Sequence, residues 1–332
     1  MTRKRLGTNV ALAAGAVAIY AAGLQQYLLL RHYESSPASQ ASWTSVDISK
    51  ATRVSADQVL GWDLVPNAGN VINAEGFLGP VPTIPKPTGT YRIAVIGDSI
   101  AFAFGETGQS FVDYAQAMLN TGSTKGRFEL LNFGVGGYDT TQEVRRLEVL
   151  GLKYQPDVVV LQYCINDGID FTFSVQAEFG TLSFAPKIGR DDPGVMGFLQ
   201  RSLRTGERMS SEAFFARVFE QPDWKKSMAA LGSLAALAKE HRFKVVVMIF
   251  PVMIDWSHYV FGPYHERVAQ AATTLGMDVL DLFPLLSATG TAESLKAPGN
   301  DVIHLTPDAQ PKIGQMLAQH LMRLPEVAEA LP

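Results

Sequence analysis

Short, continuous apolar runs alternate with longer amphipathic segments from residue 91 to the end of the chain. The runs have the length of buried strands, and the segments between them follow the 3.6-residue period of helices. We predict strands over residues 92–96, 128–132, 157–163, 244–250 and 278–282. We predict helices over residues 111–119, 141–152, 224–241 and 265–275, and a last helix that opens at Thr306 and Pro307. This alternation predicts a parallel sheet covered on both faces, in a three-layer α/β/α fold.

The connection between the third predicted strand and the next helix is long, at about residues 168–223. Such a connection inside a compact domain is usually functional, and often a lid. The alternative is a small aromatic core of its own, and the two roles are compatible. The phenylalanines that suggest either role are Phe171, Phe173, Phe179, Phe184, Phe198, Phe214, Phe215 and Phe219.

The N-terminal residues 1–33 are predicted to be a signal anchor or transmembrane segment. Basic residues at positions 3–5 precede an apolar run over residues 10–24, which predicts a cytoplasmic N-terminus with the rest exported. Residues 10–24 alone have the length of a cleaved signal peptide. Residues 6–30 reach the ~20 residues that span a bilayer. We favour this uncleaved anchor over a cleaved signal, and both over a buried core helix.

Residues 34–90 are predicted to be a linker followed by a rim segment. The first part is rich in Ser, Ala and Pro, which is typical of a linker. In residues 54–80, Asn, Gly and Pro mark turns between short apolar pieces that should pack on the rim of the main domain, residues 91–332. We interpret Trp62 in this segment as a packed aromatic residue rather than a pocket residue.

Composition excludes one class of partner and leaves the compartment open. The 332 residues are 47% hydrophobic and carry a formal net charge of −4, so no electrostatic argument favours nucleic acid. The one cysteine, Cys164, allows no intrachain disulfide and neither supports nor excludes an oxidising compartment.

The candidate chemistry lies where predicted strands end. The first strand stops at Gly97, Asp98 and Ser99, so Ser99 falls at the carboxyl edge of the sheet, where open α/β sheets bind ligands. A serine nucleophile needs a base, and Asp301 and His304 offer a base with an orienting acid. Two further stretches follow strands, at residues 132–137 and 166–167. Each alone has a structural explanation as a turn, a packing glycine or a helix cap.

Together these stretches resemble the SGNH, or GDSL, hydrolases. Residues 97–100, GDSI, resemble the first block of that family, and residues 132–137, NFGVGG, resemble the second. Asn166-Asp167 resembles the third block, and residues 301–304, DVIH, the fifth. The resemblance covers about residues 91–324. One departure stands in the third block, where Cys164 replaces the usual glycine.

The resemblance implies a five-stranded, flavodoxin-like parallel sheet and a serine-hydrolase mechanism. It implies that Ser99 is the nucleophile, His304 the general base and Asp301 the residue that orients His304. The oxyanion hole would be formed by the backbone N–H groups of Ser99 and Gly137 and the side-chain amide of Asn166. Neither metal nor cofactor is implied.

The sequence therefore predicts an exported, membrane-anchored serine esterase or lipase with its catalytic domain outside the cytoplasm, or secreted if the anchor is cleaved. The expected substrate is a lipid or acyl ester, or an O-acetylated carbohydrate, and no nucleic acid partner is expected. An acyltransferase that uses the same triad is the first alternative. A non-catalytic glycan- or peptide-binding module is the second. A flavodoxin-like nucleotide binder is the third, although residues 134–137 lack the lysine and spacing of a phosphate loop.

Overall fold

The computed structural model describes residues 51–103, 110–123, 126–168, 173–178, 181–186, 215–216, 218–253, 256–297 and 303–330. The predicted N-terminal anchor, and most of the connection at residues 168–223, lie outside these ranges. Within the described residues, no helix is both long enough and apolar enough to cross a membrane.

The described strands form one central sheet and two small hairpins. The first hairpin pairs β1 (Thr52–Val54) with β2 (Trp62–Leu64). The central sheet contains β3 (Thr90–Ile96), β4 (Arg127–Asn132) and β5 (Val158–Tyr163). The second hairpin, β6 (Phe173–Glu178) with β7 (Thr181–Pro186), lies within the long connection. The strands β8 (Lys244–Ile249) and β9 (Asp278–Asp281) complete the central sheet.

The central sheet is parallel throughout and has the strand order β4-β3-β5-β8-β9. Counted along the chain, this order is 2-1-3-4-5, which is that of a flavodoxin-like sheet. The predicted fold class is confirmed. The order also places β3 between β4 and β5, so the loops after these three strands meet at one edge of the sheet.

The helices fall into two layers. They are α1 (Ser99–Phe102), α2 (Phe111–Gly122), α3 (Thr140–Arg146), α4 (Pro222–His241), α5 (Gly262–Thr274), α6 (Leu282–Ser287), α7 (Gln310–Leu321) and α8 (Pro325–Ala330). One buried cluster joins α2, α6, α7 and α8 to one face of the sheet. A second cluster joins α3, α4 and α5 to the other face. From residue 93 to residue 96, alternate residues of β3 point into the two clusters, which is why this part of the strand is apolar without interruption.

The predicted helix over residues 141–152 is shorter than expected. The α-helix α3 ends at Arg146, a π-helical turn follows over Leu147–Gly151, and a 3₁₀ turn covers Leu152–Tyr154. Apolar periodicity over so few residues cannot distinguish these hydrogen-bonding patterns, because the α-helix differs from each of the other two types by less than one residue per turn. Leu282, expected at the end of the last strand, instead begins α6.

Residues 51–80 of the rim segment pack on the main domain. Leu60, Leu64 and Leu78 bury against Phe102 and Tyr138 in a third cluster. The buried Arg146 reinforces this packing by donating to the backbone oxygen atoms of Phe133 and Gly76 and pairing with Asp63. Residues 51–80 are thereby tied to the loop that follows β4.

The end of the long connection packs onto the main core. Phe215 stacks on Phe219 with ring centroids 6.0 Å apart and contacts Tyr264 of α5. The ring centroids of Phe219 and of Trp224, near the start of α4, are 4.6 Å apart. These two phenylalanines therefore extend the core. The lid prediction concerns the rest of the connection, where the hairpin β6–β7 is the described element.

Two mid-helix glycines should respond oppositely to alanine. A Cβ on Gly314 of α7 would lie 2.7 Å from the backbone oxygen of Phe111, and 2.6 Å from Cβ of Tyr114, on α2. Gly314→Ala should therefore push α7 from α2 and lower the free energy of unfolding by about 1–3 kcal/mol.

The matched control is Gly232→Ala in α4, where no described atom lies within 4 Å of the added Cβ. That variant should gain up to about 1 kcal/mol, because alanine is the better helix former. Chemical denaturation of both variants measures the difference. Equal effects of the two substitutions would contradict the close packing of α7 on α2.

Candidate active site

Ser99 lies immediately beyond the central strand β3, as the first residue of α1. The preceding Asp98 caps this short helix, because its Oδ1 accepts a hydrogen bond of 2.8 Å from Ile100 N. The turn needs glycine at position 97, since an added Cβ would lie 2.5 Å from Oε1 of Gln162 on β5. This tight turn presents the half-buried Ser99 side chain at the carboxyl edge of the sheet.

The structure brings Ser99 and His304 together across 205 residues of sequence. Ser99 Oγ lies 2.8 Å from Nε2 of His304. The histidine is held by a short antiparallel contact in which Ala297 N donates to His304 O at 2.8 Å, and Thr306 N donates to Leu295 O at 2.8 Å. With the ring proton on Nδ1, Nε2 accepts the serine proton, which is the geometry that a general base requires.

Asp301 lies outside the described residues. Its role in orienting His304 therefore stays a prediction from the sequence. Asp301 precedes His304 by three positions, and the sequence between them is Val302-Ile303.

The loop after β4 approaches the serine turn closely. Asn132 at the end of β4 donates from Nδ2 to Ala101 O at 2.7 Å, and its Oδ1 accepts from Gly134 N at 3.0 Å. A Cβ on Gly134 would lie 2.5 Å from Phe102 N, so only glycine permits this approach. One side chain thus joins the second block to the helix that carries Ser99.

Gly137 lies in the same loop and has a positive φ of 79°. Two residues earlier, Val135 N donates to Gly97 O at 3.0 Å, which continues the contact between loop and serine turn. The left-handed backbone at Gly137 strongly favours glycine. The second block is therefore built around the turn that carries Ser99.

Asn166 is connected to the serine turn through Asp98. Asn166 Nδ2 donates to Asp98 Oδ2 at 2.7 Å, and Asn166 Oδ1 accepts from the thiol of Cys164. The two contacts fix which end of the amide faces the aspartate. Asn166 lies in a 3₁₀ turn over Ile165–Asp167 that follows β5.

The departure at Cys164 is accommodated without strain. Its backbone is extended, with φ −138° and ψ −174°, a conformation that any residue adopts. Burial raises the pKa of the Cys164 thiol, and the nearby Asp98 carboxylate raises it further. The thiol is thus a protonated donor. Its sulfur also lies 3.3 Å from Asp98 Oδ2.

Two buried carboxyl groups lie behind these loops. Asp167 accepts from Cys164 N at 2.7 Å and from Thr140 Oγ1 at 2.9 Å, so it caps its own 3₁₀ turn rather than a following helix. Burial raises the pKa of Asp167, and the Asp98 carboxylate adds to the shift. Glu143 on α3 is 1% exposed, and neither of its carboxyl oxygen atoms has a hydrogen-bond partner among the described residues.

Among the described residues, none of the other histidines pairs with a serine as His304 does. His265 bridges Asp281 at 2.9 Å and the Tyr259 hydroxyl at 2.8 Å, which ties α5 to the end of β9. Among the described residues, no group of three or more His, Cys, Asp or Glu side chains could hold a metal ion. The histidines interpreted as structural from the sequence are His32, His241, His258, His265 and His320.

A comparison with known protein families identifies the family of this chain. Residues 95–310 match the model of the GDSL-like lipase/acylhydrolase family. The chain belongs to this family. It is an esterase or acylhydrolase, and the resemblance seen in the sequence is confirmed.

Three solved structures are similar to this chain. The crystal structure of TesA covers 69% of this chain and 97% of its own, at 18% identity and a TM-score of 0.44. The crystal structure of the acetyl xylan esterase AlAXEase covers 69% of this chain and 99% of its own, at 18% identity and a TM-score of 0.45. The crystal structure of the lipase/acylhydrolase from Enterococcus faecalis covers 70% of this chain and 95% of its own, at 15% identity and a TM-score of 0.43. The search of curated proteins finds no match.

One residue of this esterase was missed in the sequence. Gln162 is fully buried in β5, and its Oε1 accepts from Asp98 N at 3.0 Å and from Ala101 N at 3.1 Å. A polar residue inside the apolar run VVVLQY was the available signal, because a buried amide must find partners. Its partners could not be read from the sequence, since they lie more than 60 residues away.

The buried Glu143 should make the esterase less stable as pH rises. Burial raises the pKa of Glu143 well above its ordinary value, and the carboxylates of Asp167 and Asp98 raise it further. Above pH ~4.3 the unfolded chain releases this proton while the folded chain keeps it. The stability due to neutral Glu143 is therefore complete below that pH and is lost as pH rises, by at most about 1.4 kcal/mol per pH unit.

Glu143→Gln removes this titration. The free energy of unfolding of the variant, relative to that of the parent chain, should increase from pH 5 to pH 7. Urea denaturation across that range measures the change. Glu266→Gln provides the control, because it makes the same chemical change at an exposed position. A difference for Glu143→Gln that does not change with pH would contradict a neutral buried carboxyl.

Proposed function

We propose that this chain is an exported, membrane-anchored serine esterase that cleaves carboxylic esters through an acyl-enzyme. The observation that carries the proposal is the hydrogen bond of 2.8 Å between Ser99 Oγ and His304 Nε2 at the carboxyl edge of the sheet. Membership of the lipase/acylhydrolase family gives the reaction class.

In the proposed reaction, Ser99 Oγ attacks the ester carbonyl carbon while His304 Nε2 takes the hydroxyl proton. The carbonyl π electrons move to oxygen and form a tetrahedral oxyanion. When it collapses, the bond to the alcohol oxygen breaks, and His304 returns its proton to that oxygen. Water then repeats the sequence on the acyl-enzyme and releases the acid. Asp301 is assigned the role of stabilising the imidazolium form of His304.

The oxyanion would be stabilised by the N–H groups of Ser99 and Gly137 and by the Asn166 amide. Two contacts support the assignment of Asn166. Its Oδ1 is bound by the Cys164 thiol, so the N–H₂ end is the one beside the serine turn. One of its two hydrogen atoms goes to Asp98, and the second is assigned to the substrate oxygen.

The proposed substrates are lipid or acyl esters and O-acetylated carbohydrates. The phenylalanines of the long connection favour an apolar acyl group, whereas export and anchoring are equally compatible with an O-acetylated envelope polysaccharide. The same acyl-enzyme can transfer its acyl group to a sugar hydroxyl, so acyl transfer is the alternative activity. Incubation of the acyl-enzyme with sugar acceptors, followed by mass measurement of the products, separates transfer from hydrolysis.

Ser99 and His304 should act as one unit. Ser99→Ala and His304→Ala should each lower kcat on a short aryl ester by roughly 10⁴–10⁶, because each removes the activated nucleophile. The double variant should be little worse than either single variant, and steady-state kinetics on the three proteins measures this.

His241→Ala is the matched control for the histidine, since His241 is exposed near the end of α4 and should leave kcat unchanged. Multiplicative losses in the double variant would show that Ser99 and His304 do not share a step. Full activity in Ser99→Ala would remove the assignment of the nucleophile.

The basic residues at positions 3–5 ahead of the apolar run support the proposed location. Protease added to spheroplasts that express the chain should therefore degrade the esterase domain while a cytosolic marker survives. Carbonate extraction should leave the chain in the membrane pellet if the segment is an uncleaved anchor. Protection of the domain from protease would contradict export, and release by carbonate would contradict the anchor.

A further inference from the structure

The loop that carries Gly137 is contacted by the rim segment. Trp62 begins β2, and its indole Nε1 donates to the backbone oxygen of Gly136 at 3.1 Å. The two residues are 74 positions apart, and Trp62 lies outside the residues matched by the family model, 95–310. The rim segment thus adds a contact at the loop assigned to the oxyanion hole.

The position of this contact matters because of peptide geometry. The oxygen of Gly136 and the N–H of Gly137 belong to one planar, trans peptide unit, and they point in opposite directions. Holding the oxygen therefore fixes the direction of the N–H. A hydrogen bond to the oxygen also polarises the N–H of the same unit and makes it a stronger donor.

The Gly136-Gly137 peptide needs an external constraint. Two consecutive glycines have wide backbone freedom. No described atom lies within 4 Å of the place where a Cβ on Gly136 would sit. A turn hydrogen bond of 3.2 Å from Tyr138 N to Val135 O closes around the pair. The same bond is found in turn types that differ in the rotation of the central peptide, so it does not by itself set the direction of the Gly137 N–H.

Trp62 is itself held firmly enough to act as this constraint. The Tyr138 hydroxyl donates to the backbone oxygen of Trp62, and the two rings meet edge to face with centroids 5.3 Å apart. The next residue, Asp63, pairs with the buried Arg146, which donates to Phe133 O at 3.0 Å. The indole is therefore fixed relative to the residues on both sides of the glycine pair.

We propose that Trp62 is a positioning residue that aims the Gly137 N–H at the substrate oxyanion. This rests on the proposed function, in which that N–H stabilises the oxyanion. The rim segment then completes the oxyanion hole of this esterase in addition to covering the domain.

Trp62→Phe tests the proposal because it keeps an aromatic ring and removes the N–H donor. Complete loss of one oxyanion donor lowers kcat by about 10²–10³. A misaimed donor should cost less, so we expect kcat to fall by about 10-fold, with KM changed by less than about 2-fold. The matched control is Trp256→Phe, since Trp256 Nε1 donates to Val252 O at 3.0 Å in another loop. That control should leave kcat near the parent value.

A second readout does not depend on activity. Gly136-Gly137 is the one Gly-Gly step in the sequence. In the full chain labelled with ¹³C-carbonyl, ¹⁵N-glycine, a carbonyl-to-amide correlation spectrum therefore contains one cross-peak, from Gly136 C=O and Gly137 N–H. Trp62→Phe should move this cross-peak, whereas Trp256→Phe should leave it in place.

A tryptophan analogue with sulfur in place of the ring N–H, incorporated at position 62, covers the case in which Trp62→Phe fails to fold. It keeps the size of the indole and should reproduce both effects. A moved cross-peak with a lowered kcat supports the proposal. An unmoved cross-peak, or a moved one with normal kcat, overturns it. Failure of the proposed function would show separately, as activity that survives Ser99→Ala.

Discussion

Side chains from both neighbouring strands hold the turn that carries Ser99. On one side, Gln162 of β5 accepts hydrogen bonds from the backbone N–H groups of Asp98 and Ala101. On the other side, Asn132 of β4 donates to Ala101 O. These bonds satisfy backbone groups that a sharp turn inside a buried sheet edge would otherwise leave unpaired, at a cost of about 1–3 kcal/mol each. The position of the serine is therefore set by the sheet, before any substrate is bound.

The same arrangement explains the concentration of buried polar groups behind the site. Asp98 caps the serine helix with one carboxyl oxygen and accepts from Asn166 with the other. Asp167 and Glu143 share its low-dielectric surroundings, where several carboxylates cannot all be charged cheaply. Burial accordingly raises the pKa of both Asp167 and Glu143. A proton kept on Glu143 limits the negative charge around the aspartate that fixes the serine turn.

The order of strands and helices was predictable because each element buries an apolar face of its own. The contact between Ser99 and His304 was predictable from residue type and from the position of Ser99 at a strand end. The contacts of Gln162, Cys164 and Trp62 were not, because each reaches a partner that only the folded sheet brings near. Trp62 was correctly read as a packed aromatic, yet its indole N–H and the carbonyl it meets cannot be inferred from its neighbours in sequence.

The π-helical turn over Leu147–Gly151 marks a different limit. Apolar spacing identified the helical segment but could not give the hydrogen-bonding pattern after Arg146. Cys164 shows a third limit of prediction from the sequence. The family pattern has a glycine at this position, which suggested a backbone conformation that favours glycine. The extended backbone at that position has no such need. The thiol instead contacts Asn166, so the departure adds a contact to the site without distorting it.

Ser99 is proposed to be a nucleophile activated by His304. Trapping with a fluorophosphonate, followed by mass spectrometry of the labelled peptide, tests this proposal most directly, because only an activated serine reacts quickly with this reagent. We expect one adduct, on Ser99, that forms much more slowly in His304→Ala and is absent in Ser99→Ala. An adduct on another residue, or labelling of Ser99 at the same rate without His304, would contradict it.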